Sequence, residues 1–209
     1  MKKILHAIAG AGEGGAEEFF FRLVRALQRR GVPQSVVMRM GRYSTLMIRS
    51  GFVPSLAKYG GMLDFTTVPR LRRAFDSVAP DIVFSWMSRA TQFVTRARGG
   101  RTFVHVSRLG GYYDLKYYRG CNHLIGNTPD IVDYLVREGW PRDRAHFIPN
   151  FVDEAQAAPA RRTDFHLGMK TVFSKLTFPL LDLPFIMNRV ISPKVKILEQ
   201  RAKSDNLRN

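Results

Sequence analysis

Up to about residue 150 the chain keeps switching between two hydrophobic rhythms. "KILHAIA" (3–9) is a short apolar run closed by glycines, the pattern of a strand buried on both faces. In the next segment, "GAEEFFFRLVRALQRRGVP", Ala16, Phe20, Leu23, Val24 and Leu27 recur at helical spacing and share one face. Glu17 and Glu18 fall in the first turn of that helix and Arg29 and Arg30 in the last, as the helix dipole favours; Gly31 and Pro33 end it. "QSVVMRM" (34–40) is the second strand. Further strands are read at "FVPSLAKY", weakened by Pro54, and at "DIVFSW" (81–86), "RTFVHVSRL" (101–109), "HLIGN" (123–127) and "AHFIPN" (145–150). Helices are read at "TLMIRSG", "VPRLRRAFDSVAP", "SRATQFVTRAR" and "TPDIVDYLVREGWP", the last capped by Thr128 with Pro129 at its first position. Strands alternating with helices predict an α/β fold with a Rossmann-like, doubly wound parallel sheet.

The rhythm fails later in the chain. Residues 1–155 are read as one domain, 156–164 as a linker, and 165–209 as an irregular tail, mostly helical or disordered, that Pro179, Pro184 and Pro193 interrupt. The terminal "VKILEQRAKSDNLRN" fits a short helix with a polar end.

Composition narrows the class. Of 209 residues, 45% are apolar and 24% charged, as in a globular protein. Cys121 is the single cysteine, so no intrachain disulfide forms and a reducing compartment fits. "MKKILHAIAGAG" reads as a first core strand rather than a signal peptide, since His6 and the glycines break its apolar run. No uncharged stretch approaches the roughly 20 apolar residues of a membrane span. A net charge of +16 draws anions, whether nucleic acid, phosphorylated substrates or an acidic membrane leaflet. No zinc finger, RNP pattern or helix-turn-helix is found, so nucleic acid is not an expected partner. His6 reads as a structural mid-strand residue. His123, His146 and His166 have no metal-ligand spacing, and no metal is assigned.

Gly10-x-Gly12-x-x-Gly15 joins the first strand to the first helix. Such a turn aims backbone N–H groups and the positive helix end at an anion, and glycine lets the anion approach. NAD would require an acidic residue roughly 20 positions on, at the end of the second strand. Here no acidic residue lies between Glu18 and Asp64, and that strand ends Arg39-Met40-Gly41-Arg42. A tight turn without a ligand, an NADP site accepted by an arginine, and a site for another phosphorylated ligand all remain open, and no cofactor is assigned.

"GEGGAEEFFFRLVRALQRRG" resembles the opening of the family 4 (retaining, GT-B fold) glycosyltransferases, in which a G-G-x-E loop precedes such a helix; Gly14, Gly15, Ala16 and Glu17 match it. "RAHFIPNFVD" resembles the strand and hinge that close the N-terminal half of that fold. Pro149, Asn150, Val152 and Asp153 match, and Phe151 replaces the usual glycine. "CNHLIGNTPDIVDYLVREGWP" resembles the strand and helix before the hinge. The resemblance implies an acceptor-side domain facing a donor-binding half across a cleft. It also implies a nucleotide-sugar donor held by a Glu-x7-Glu pattern in that other half, and a lipid-linked or cell-envelope saccharide acceptor. A place on the cytoplasmic face of the membrane, with peripheral contact to anionic lipid, goes with it. Glu199 is the only glutamate after residue 155, so the tail cannot carry the Glu-x7-Glu pair. The expectation is an incomplete enzyme, an N-terminal half followed by an unrelated or out-of-frame tail. A non-enzymatic anion-binding module and an NADP-binding oxidoreductase fragment are the competing readings.

Candidate site residues follow. By the resemblance, Gly12, Gly14, Gly15 and Glu17 face acceptor or phosphate, Asn150 lies at the hinge, and His105 is the catalytic candidate at the cleft end of its strand, with a histidine packed or hydrogen-bonded in the sheet as the competing reading. Ser107 or Arg108 competes with His105 for that cleft position. Arg108, Gly110, Gly111 and Tyr112 form the loop after the same strand, where open α/β sheets place ligands, and Arg108 suits a phosphate or carboxylate. "YYDLKYYRG" (112–120) reads either as a stacking or membrane-interface segment or as an ordinary amphipathic helix.

Overall fold

The computed structural model describes residues 2–150 apart from Ala11, Glu13 and Met62. Residues 151–209, including the expected linker and tail, lie outside the described residues. The alternation resolves into β1 (Ile4–Ile8), α1 (Gly15–Arg29), β2 (Gln34–Met38), α2 (Arg42–Arg49), β3 (Ser55–Leu56), α3 (Thr67–Val78), β4 (Ile82–Trp86), α4 (Met87–Arg98), β5 (Val104–Leu109), β6 (His123–Gly126), α5 (Pro129–Arg137) and β7 (Ala145–Phe147). The strands form one parallel sheet in the order β3-β2-β1-β4-β5-β6-β7. The order reverses between β1 and β4, so the crevice beyond their carboxyl ends is where such a sheet receives a ligand.

Both faces of β1 are buried, which is why its sequence is an unbroken apolar run rather than an alternating one. On one face Leu5 and Ala7, with Val37 and Val83, pack with Leu71 and Phe75 of α3 and Phe93 and Val94 of α4. On the other face the His6 ring meets Phe20 of α1 edge-on at 5.8 Å and lies 5.7 Å from Phe84. Towards the far edge, Leu109, Leu124 and Ala145 pack with Ile131, Val132 and Leu135 of α5.

Local chemistry sets the boundaries. The Thr128 hydroxyl accepts from Ile131 N at 3.2 Å, and Pro129 opens α5, as its sequence predicts. Pro54 immediately precedes β3, which is held to two residues on the sheet edge. The final strand also stops short of its expected length, at Phe147. "YYDLKYYRG" does not form the amphipathic helix. It contains a single 3-10 turn, Leu115–Tyr117, started by the Asp114 carboxylate accepting from Lys116 N at 2.8 Å.

Candidate functional site

Parallel pairing aligns the carboxyl ends of the strands. Ile8 pairs with Trp86, Trp86 with Arg108, and Arg108 with Ile125, so these residues form one row on the α1 side of the sheet. In front of the row lie the glycine turn after β1 and the Gly110–Gly111 loop after β5. A Cβ built on Gly12, Gly15 or Gly110 would meet nothing within 4 Å, so among the described residues the mouth is open at these three positions.

The glycine turn itself is not open. A Cβ on Gly10 would fall 2.7 Å from Glu17 Cδ, and one on Gly14 would fall 2.5 Å from Glu17 Oε2. Glu17 is the third residue of α1, the position from which a glutamate reaches back towards the cap. Gly14, the N-cap, offers no side chain, and Glu17, only 9% exposed, fills the turn with its carboxylate. Of the acceptor or phosphate expected at Gly14 and Glu17, a phosphate is disfavoured there, because the Glu17 carboxylate occupies that space and would repel it.

Arg108 takes the cleft position for which three β5 residues compete. It is 4% exposed, with its guanidinium 4.5 Å from the Phe19 ring centroid and 5.5 Å from that of Trp86. Nη2 donates to Asn150 Oδ1, which brings two of the expected site residues together. Nε is buried without a partner, and among the described residues no carboxylate pairs with this arginine. Burial lowers its pKa to about 10, which leaves it charged at neutral pH.

His105 follows the packed-in-sheet reading and not the catalytic one. It is the second residue of β5, three positions before Arg108, so at about 3.3 Å per residue it sits about 10 Å below the cleft row and on the opposite face. It is fully buried; Nε2 lies 2.9 Å from Ser85 Oγ, which continues to Thr91 Oγ1 at 2.9 Å and from there to Ser107 Oγ at 2.8 Å. Burial, with the Arg98 charge, lowers the His105 pKa to about 3. A neutral, inaccessible imidazole tied to three hydroxyls is a core network, and Ser107 belongs to it rather than to the cleft.

Tyr112 contacts α5. Its hydroxyl donates to Asp130, and its ring meets Tyr134 edge-on at 5.2 Å, so it braces the Gly110–Gly111 loop on α5. Sequence reading misses one pairing: His123 Nδ1 and His146 Nε2 lie 3.0 Å apart. Among the described residues no group of three potential metal ligands exists.

A Rossmann-like domain with a ligand crevice at its strand ends is a class shared by many activities. Comparison with known proteins narrows it: residues 13–156 match the model of Glycosyltransferase Family 4, and the chain belongs to that family. It is 34% identical over 166 residues to the lipopolysaccharide core biosynthesis glycosyltransferase LpsD of Rhizobium meliloti (strain 1021), covering 78% of this chain and 47% of LpsD. It is 30% identical over 168 residues to LpsE of the same organism, covering 77% of this chain and 46% of LpsE. The chain thus spans about half the length of these curated relatives. Among solved structures, Anabaena Alr3699/HepE in complex with UDP-glucose superposes with a TM-score of 0.61 at 15% identity, over 73% of this chain and 45% of that one, a likeness of fold.

Proposed function

We propose that this chain is the acceptor-side domain of a retaining glycosyltransferase that moves a sugar from a nucleotide-sugar donor to a cell-envelope saccharide. The observation that carries the reading is the crevice beyond β1, β4 and β5, open over Gly12, Gly15 and Gly110 and floored by Arg108, in a chain that belongs to glycosyltransferase family 4. The roles of LpsD and LpsE in lipopolysaccharide core biosynthesis support a core oligosaccharide as the acceptor. In this reading the domain supplies the acceptor side, and transfer also requires a donor-binding half.

The charge of +16 and the exposed Val53, Leu63 and Phe65 near the β3 edge, with Arg72 and Arg73 exposed on α3, support peripheral contact with an anionic membrane at its cytoplasmic face. The arginines that follow the second strand would accept the extra phosphate of NADP, whereas the Glu17 carboxylate in the turn tells against a dinucleotide pyrophosphate there.

Calorimetry tests the assignment. The purified chain should bind a lipopolysaccharide core oligosaccharide and show no heat with UDP-glucose or NADP at millimolar concentration. Nucleotide binding without oligosaccharide binding would overturn it.

A further inference from the structure

The Arg108 guanidinium has an arrangement that packing alone does not explain. Burying a charge without an opposite charge beside it costs several kcal/mol. An apolar side chain of similar length would fill the same space at no such cost. Arg108 nevertheless sits 96% buried, given its 4% exposure, with two aromatic rings and one neutral amide as company. Cation–π contacts return part of that cost, about 2 kcal/mol when desolvated. Part of its hydrogen-bonding capacity is unused: Nε has no partner. The glutamate near this end of α1 does not supply the missing charge, because Glu17 is turned towards Gly10 and Gly14. One anion-binding position in the crevice is therefore filled by the protein, and a second holds a cation without a counterion among the described residues.

We propose that Arg108 is a specificity-determining residue that binds an oxyanion, phosphate or carboxylate, carried by the saccharide acceptor, and that Glu17 keeps that oxyanion out of the glycine turn. This rests on the acceptor-side reading given above. Asn150 holds Nη2 and fixes the plane of the guanidinium, which leaves its other N–H groups for the ligand oxygens. The Glu17 carboxylate at the same mouth accepts hydrogen bonds from neutral sugar hydroxyls and repels a second anion. The crevice thus selects an acidic sugar in one orientation.

The test is titration of the full chain with glucose 6-phosphate, galacturonate and glucose, followed by Trp86 fluorescence and by the NMR signals of Arg108 Nε–H and of the Gly10 and Gly14 amides. The two acidic sugars should bind about tenfold or more tighter than glucose, as a charge-assisted hydrogen bond implies. They should move the Arg108 signal and leave the glycine amides in place. Arg108→Gln should bring all three sugars to the affinity of glucose. Glu17→Ala should let inorganic phosphate shift Gly10 and Gly14. Should Arg108→Gln not fold, the Arg108 Nε–H signal of the unaltered chain still decides. Equal binding of glucose and the acidic sugars overturns this inference and leaves the acceptor-side reading standing. Anion-dependent shifts at Gly10 and Gly14 in the unaltered chain, without a shift at Arg108, also overturn the inference alone. Failure of every sugar, together with failure of the core oligosaccharide, overturns both. A preference for glucose 6-phosphate over galacturonate, or the reverse, assigns the oxyanion as phosphate or carboxylate.

Discussion

Gly10 and Glu17 compete for one volume: the carboxylate of the glutamate stands where any side chain on the glycine would have to go. Gly10→Ala should therefore expel the carboxylate or strain the turn, at a cost of about 1–3 kcal/mol typical of overpacking. Glu17→Ala should remove most of that cost. A double-mutant cycle by urea denaturation checks it, and additive single effects would show that the two positions are independent.

Arg108 should trade stability for binding. Arg108→Met keeps length and rotamer freedom and removes the buried charge, so the folded state should stay within about 1 kcal/mol of its original stability or gain. Binding of acidic sugars should fall to the level of glucose. A loss of stability above about 3 kcal/mol, the scale for breaking a buried pair, would mean that the guanidinium is structurally compensated after all.

The network beneath the cleft is structural. Ser85→Ala leaves both His105 Nε2 and Thr91 Oγ1 without their 2.9 Å partner in the core. The expected cost is about 1–3 kcal/mol, with little effect on sugar affinity. Thermal or urea unfolding together with a binding titration checks both halves. A large loss of affinity at unchanged stability would return His105 and its neighbours to the site.

Stability should fall between neutral pH and pH 5, above the range where carboxylates titrate. Burial holds His105 near 3 and His6 near 4, against an ordinary 6.5. In that window the unfolded chain takes up protons that the folded chain refuses, so folding weakens as pH drops through 6.5 and continues to weaken towards the folded values. At pH 5 the loss is about 2 kcal/mol per histidine. Urea midpoints at pH 7 and pH 5 measure it, and His105→Asn should remove about half. An unchanged pH slope in that variant would rule out His105 as its source.

What the sequence reveals is what depends on near neighbours. Apolar runs and helical spacing place β1, α1, β4 and α5 because each unit hides its own faces within a few residues. Thr128 and Pro129 mark the start of α5 because a cap acts over three positions. The side of the sheet to which His105 points depends on register: "RTFVHVSRL" reads as a strand from residue 101, but pairing begins at Val104, and one step along a strand exchanges the faces. The arrangement of Arg108 with Asn150, or of His123 with His146, is set by strand order across the sheet, which no local pattern encodes. Glu17 is legible as a first-turn carboxylate, while the direction of its side chain depends on the path of the chain through Gly10 and Gly14.

The central position of β1 also bears on synthesis. Its partner on one side, β2, emerges from the ribosome soon after it; its partner on the other side, β4, is not made until Ile82–Trp86. At about 5–20 residues per second, one apolar edge of the nascent chain stays unzipped for several seconds. That interval is the one in which a holdase chaperone would find the growing polypeptide, and slow codons between Met38 and Ile82 would prolong it.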